Sequence, residues 1–364
     1  MRGRIMTAAA VVVVLLTGCS VGDIRRKPPP PPSAPPAPTA EVVDFETRRG
    51  SIPVPPSYRL RSVEFVDQAL GYALFGRCGS TSDAPGVAES CSAALVRTED
   101  GGRSWHQVYH PHPEGKDHQL YADRARLVLW VDPDGYYVSF DRGRTFEYAA
   151  GDYDVVRPMF GEYQACCDAD EKQRVVWFGG DGKPSPTKAQ PDLPNVRAVA
   201  SAVHWLFAVG IDDNGRPIAS VSNDQGATWR QVPVAGASGK VGAVQIAVDR
   251  SGTYAWMIGQ TDLISWPSLW YFDDNGWRPM GATGHPRDFT SAVVLEDASL
   301  AVTTPQGVGL VSGDAFQRLD WPIGGCSLRM LPEGTLFCPH DAVSWLGIED
   351  FGQRKWIRVL VGNE

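Results

Sequence analysis

Four of the seven histidines fall within a short stretch: His106, His110, His112 and His118, with Glu114 and Asp117 between them. Neutral imidazoles beside a carboxylate are ligands for zinc or copper. That makes His110, His112 and His118 the candidate metal set. The same stretch, His110-Pro-His112-Pro-Glu114, also suits a solvated Pro/His loop, which is the plainer account, and no cofactor is expected. Twelve tryptophans could stack on sugars or seal packed elements, and their spread along the chain favours sealing. Forty-two acidic residues offer too many carboxylate pairs to single out two for glycosidic chemistry. The chain has no G-x-x-x-x-G-K-(S/T) phosphate loop, zinc-finger spacing or H-E-x-x-H, and its one G-x-S-x-G, Gly18 to Gly22, follows the N-terminal apolar run rather than sitting between a strand and a helix. Nucleophilic-serine and phosphate-loop chemistry therefore have no support.

The cysteines add a second chemistry. Cys78 and Cys91 bracket a Ser/Gly/Pro/Ala-rich insertion, so a bridge there would close its base. Cys326 and Cys338 flank a hairpin-like stretch turning at Pro332-Glu333-Gly334 and would face each other across two strands. Cys166 and Cys167 are adjacent; a vicinal disulfide, bonds elsewhere and free thiols all stay open. An exported chain can keep such pairs oxidised.

The elements that must position these groups are announced by a phrase that occurs three times. It reads Thr98-Glu-Asp100-Gly-Gly102-Arg-Ser104-Trp105, then Ser139-Phe-Asp141-Arg-Gly143-Arg-Thr145-Phe146, then Ser222-Asn-Asp224-Gln-Gly226-Ala-Thr228-Trp229. The Asp carboxylate can accept backbone N–H bonds from its own turn. The Gly supplies a positive φ, and the aromatic starts the next strand and packs inward. Worn copies follow at Gly180-Asp181-Gly182, Asp274-Asn-Gly276-Trp277, Ser312-Gly-Asp314-Ala-Phe316 and Asp350-Phe-Gly352. Marks at 100, 141, 181, 224, 274, 314 and 350 recur at the period of four-stranded propeller blades. We expect an all-β, seven-bladed β-propeller of four-stranded antiparallel blades. Six or eight blades stay open, because four marks are degenerate. Thirty-eight glycines and many short apolar runs bounded by turn residues agree with an all-β chain. Blade three is the weakest, because Pro184 to Pro194 is too proline-rich for a regular ladder.

The phrase resembles the Asp-box, or BNR repeat, of sialidase-type propellers. The stretch from Val63 to Trp105 is similar to repeats of the photosystem-II stability and assembly factor-like group. The first resemblance implies that the Asp turns lie away from the ligand face. A sialidase-like hydrolase would further need an arginine triad, a Tyr/Glu nucleophile pair, an acid/base Asp and an Arg-Ile-Pro phrase. The nearest traces are Tyr58-Arg59-Leu60-Arg61, which lacks the Pro, then Arg157-Pro158, Arg216-Pro217-Ile218 and the Glu162-Tyr163 pair. No spacing ties them together. The second resemblance implies chaperone-like or scaffolding work.

Arg2 and Arg4 followed by the apolar run Ile5 to Leu16 read as an export signal, too short to span a bilayer. Leu16-Thr17-Gly18-Cys19 resembles the bacterial lipobox, which implies cleavage after residue 18 and lipidation of Cys19. Residues 19–57 read as a disordered, proline-rich linker, and residues 58–364 as the propeller domain. The segment Pro28 to Pro38 would extend roughly 34 Å as a polyproline stalk. The expected location is the extracytoplasmic face of the cell membrane, held by lipid. The net charge of −8 is a poor match for nucleic acid. The sequence supports a binding or scaffold module taking a protein or glycan ligand at its loop face, with a glycoside hydrolase as the alternative.

Overall fold

The computed structural model describes residues 45–79, 90–149, 155–167, 173–179, 183–237, 239–350 and 353–362. The signal segment, Cys19 and the polyproline stalk lie outside the described residues. The rest builds seven antiparallel sheets in chain order, the blades of a β-propeller. The first holds Arg59–Phe65, Gly71–Gly79, Ser90–Thr98 and His106–Val108. The second holds Asp117–Ala122, Leu127–Asp132, Gly135–Ser139 and Glu147–Ala149. The third shows three strands among the described residues, Tyr163–Cys167, Gln173–Phe178 and Pro184–Pro186. The fourth runs from Val196–Ser201 to Arg230–Val232, the fifth from Ala243–Val248 to Trp277–Met280 and the sixth from Ser291–Val294 to Ala315–Leu319. The seventh holds Arg329–Met330, Leu336–His340, Val343–Asp350 and Gln353–Leu360.

Composition places the start of the fold at residue 58, but pairing begins upstream. Phe45–Arg49 forms a fifth, outermost strand on the seventh blade, parallel to Gln353–Leu360. Ile52 and Val54 then enter the core between the seventh and first blades. Arg48 is buried and donates from Nη1 to the Gly101 carbonyl at 3.1 Å, across the seam in the first Asp turn. The earliest described segment therefore fastens the last blade to the first. Composition misses it because the preceding prolines dominate the local average.

Cohesion comes from apolar side chains gripped between neighbouring sheets. Phe65, Phe75 and Trp105 of the first blade pack with Phe337, Leu346 and Val359 of the seventh. Leu74 and Leu95 of the first pack with Leu120, Leu127 and Leu129 of the second. Trp256, Trp277 and Trp356 are almost fully buried in such seams. Fully burying a large apolar side chain contributes about 1.5–3 kcal/mol. Each seam is therefore worth several such terms before the cost of ordering the chain.

The three intact Asp phrases share one geometry. Thr98 Oγ1 donates to Asp100 Oδ1 at 2.8 Å and accepts from Gly102 N at 2.8 Å. Ser104 donates to Asp100 from its backbone N at 2.9 Å and from Oγ at 2.6 Å. The same four bonds recur around Asp141 and around Asp224. Burial pushes the Asp100 carboxyl up, but the bonds from Ser104 and Thr98 outweigh it and leave it at about 2. The hydroxyl and N–H of Thr228, with the Ser222 hydroxyl, hold Asp224 at about 2. Each phrase is the turn between the third and fourth strands of its blade. Gly102, Gly143 and Gly226 have φ near +89°, +83° and +82°. Of the three aromatics, only Trp105 is fully buried; Phe146 and Trp229 are half-buried against the neighbouring blade. The worn marks around Asp274 and Asp314 fall on the corresponding turns of the fifth and sixth blades. Asp181 lies outside the described residues.

Candidate functional site

In an antiparallel blade, the turns after the first and third strands lie at one end. The turn after the second strand and the link to the next blade lie at the other. The two disulfides obey this plan. Cys78 and Cys91 are direct partners across the second and third strands of the first blade and are bonded. Cys326 and Cys338 are bonded at the start of the seventh blade. The Arg157 guanidinium reaches the Cys166 sulfur; the side chain of Cys167 lies outside the described set.

The histidine link returns to the Cys78–Cys91 end of the first blade. Glu114–Gly115 pairs with Ser92 and Cys91, and Ala93 N donates to the Pro113 carbonyl at 2.7 Å. The three candidate ligands are then divided. His110 and His118 are buried with their ring centroids 5.4 Å apart. His112 stays half-exposed, stacked on Tyr137, with Nδ1 3.2 Å from Asp134 Oδ2. Among the described residues, no three His, Cys, Asp or Glu side chains are placed to hold a metal ion. A three-histidine centre is thus not assembled, because Tyr137 and Asp134 draw His112 outward.

A cleft of about 590 Å³ lies at the other end, between the third and fourth blades. Its walls come from the third blade (Glu162, Tyr163, Trp177, Lys188), from the first turn of the fourth (His204, Trp205) and from its Asp turn (Asn223, Gln225). The ligand face was expected at the opposite end. The third blade beside it shows three strands among the described residues, and Pro184 and Pro186 supply no N–H for a longer outer ladder. The two indoles are held. Trp177 Nε1 donates to Glu162 Oε1 at 3.2 Å, and Trp205 Nε1 donates to Asp274 Oδ1 at 3.2 Å. Trp177 keeps 40% of its surface exposed. Gln225 sits at φ 57°, which turns it outward beside Asn223. The floor is tied down by Thr187, into which a Cβ on Gly226 would press at 2.7 Å. Trp229 Nε1 donates to the Ala189 carbonyl at 2.9 Å.

This arrangement offers two aromatic faces, a carboxylate, an ammonium, an imidazole and two amides within one open groove. It can stack and hydrogen-bond an extended polar ligand. Glu162 and Tyr163 do share it, but no arginine lines it. Arg216 is bonded to Asp212, Arg61 reaches the Cys78 sulfur and Arg157 the Cys166 sulfur. The groups needed for a sialidase-like centre are therefore not brought together among the described residues. Sequence reasoning missed Trp177, Trp205, Lys188, His204, Asn223 and Gln225 as neighbours. The proline-rich run from 184 to 194 was the signal that the ring thins at that point.

No family model matches the sequence, and no curated protein matches it. Solved structures do resemble it in architecture. The chain is similar to YCF48 bound to D1 peptide, at 14% identity over 84% of this chain and 82% of that one, with a TM-score of 0.35. It is similar to TolB from Acinetobacter baumannii at 10% identity over 79% and 82% of the two chains, with a TM-score of 0.37. It is also similar to Trypanosoma rangeli sialidase at 12% identity over 75% and 57%, with a TM-score of 0.31. These are likenesses of fold, and no residue role is carried over from them.

Proposed function

We propose that this chain is a binding or scaffold module of the cell envelope, anchored by lipid at Cys19 and holding a protein segment or envelope glycan. The observation that carries the reading is the cleft between the third and fourth blades. It combines aromatic faces with varied hydrogen-bonding groups in one open groove. Such a site fixes a ligand by stacking and polar contacts. The two disulfides support exposure to an oxidising compartment. The acidic balance of the chain supports partners other than nucleic acid.

The test screens the full chain against envelope glycans and an unstructured-peptide library, then repeats any hit with Trp177→Ala and Trp205→Ala. Loss of binding by tenfold or more in both variants is expected. Ligands that bind both variants unchanged would move the site elsewhere on the ring. A fluorogenic glycoside panel covers the hydrolase, and turnover of any member would displace the binding reading. For the anchor, Cys19→Ala should move the chain from the membrane to the soluble fraction.

A further inference from the structure

The seam between the first and second blades holds two groups that the cleft does not use. His110 lies in the link after the first blade, and His118 is the second residue of the first strand of the second blade. They are 9% and 8% exposed, with ring planes at 77°. Both ring nitrogens of His110, and Nε2 of His118, are buried without a hydrogen-bond partner. Buried polar atoms are nearly always paired, and an unpaired one calls for an explanation such as a missing ion.

We propose that His110 and His118 form a two-coordinate site for a soft monovalent cation, Cu(I). The donor set selects the ion. Tetrahedral zinc needs four ligands and tetragonal Cu(II) needs several nitrogen or oxygen donors. No third side chain of that kind joins the pair among the described residues. Cu(I) has a closed shell and is satisfied by two imidazoles in a near-linear arrangement. Metal–nitrogen bonds of about 2 Å on either side of one ion would put the ring centres roughly 6 Å apart. The observed spacing of 5.4 Å is a little short of that, so the rings would move slightly apart to take the ion.

The surroundings fit a ligand pair. Burial, reinforced by the neighbouring His118 and His112, lowers His110 to about 3, and burial lowers His118 as well. Gly115 packs against the His118 ring, where a Cβ would stand 3.2 Å from His118 Cε1 and closer still to Val131. The nearby Cys78 and Cys91 are already joined, so neither offers a competing thiolate.

The test is anaerobic titration of the full chain with Cu(I), against a chromophoric Cu(I) chelator, followed by X-ray absorption. One equivalent in a two-nitrogen, sulfur-free shell is expected, and it should survive Cys166→Ser combined with Cys167→Ser. Affinity should fall at least tenfold in His110→Leu and in His118→Leu, which replace the imidazoles by apolar groups of similar bulk. A sulfur shell, undiminished binding in both leucine variants, or equal affinity for Zn(II) would each overturn the site. Should the leucine variants not fold, the histidine nitrogen resonances of the unmodified chain decide. Cu(I) must shift those of His110 and His118 while sparing His112, and unmoved resonances would end the proposal.

Discussion

The first and third blades are built on the same plan and end in different conditions. The first has long central strands, Gly71–Gly79 and Ser90–Thr98, joined by a disulfide and closed by a fully bonded Asp turn. It also receives Arg48 from the strand that closes the ring. The third blade shows three described strands and ends at Pro186. The cleft opens beside the third blade, where the repeat is least complete. Regularity supplies the frame, and a departure from it leaves room for a ligand. The Asp turns are thus fastenings, and the groove lies beside the blade with the fewest described strands.

The comparison can be broken most forcefully at Gly102. A Cβ there would drive into Val359 of the seventh blade and would also have to sit at φ +89°. Overpacking and backbone strain together should cost about 3 kcal/mol or more in Gly102→Val, read as a fall in the urea midpoint. A loss below about 1 kcal/mol would show that the seam between the seventh and first blades is not closely packed.

Removing the Cys78–Cys91 bridge by a double serine substitution comes next. The bridge spans 13 residues of separation, so its loss should cost about 2–3 kcal/mol under a chain-entropy account. The fall should appear as a lower melting temperature under non-reducing conditions, with no change in cleft binding.

Asp100→Ala removes three hydrogen bonds but from a turn open to water, so screening limits the loss to about 1 kcal/mol. The pH dependence sharpens this. Asp100 and Asp224 lie at about 2 in the folded chain, below the ordinary carboxylate value near 4. Folding therefore gains from their ionised forms above about pH 4 and loses that gain as pH falls toward 2. Acid unfolding of Asp100→Ala should show a shallower slope across that window than the unaltered chain.

The smallest effect on stability should come from the third blade. Trp177→Ala cuts a half-open side chain at the cleft wall and should change stability by about 0.5 kcal/mol or less. Calorimetry beside a binding assay would read both quantities. A stability loss comparable to that of Gly102→Val would mean that Trp177 is a core residue and that the cleft is packing.

Much of the frame was legible because its signals are local. An Asp turn is written in eight consecutive residues, such as Thr98 to Trp105, and its hydrogen bonds close within that span. The Cys78–Cys91 and Cys326–Cys338 pairs were legible for a similar reason, each lying close in the chain. The boundary at residue 58 was misplaced because Phe45–Arg49 pairs with residues more than three hundred positions away. The cleft was not legible either. Trp177, Trp205 and Gln225 meet only when the thin third blade docks beside the fourth.

The chain by itself dictated a ring of about forty-residue units, its turns and its covalent staples, because each rests on the chemistry of near neighbours. Only the folded structure decided which strand closes the ring, where a groove opens, and that two of the clustered histidines turn inward while the third turns out. Those outcomes depend on contacts between segments far apart in sequence, where no local pattern records which surface a side chain will meet.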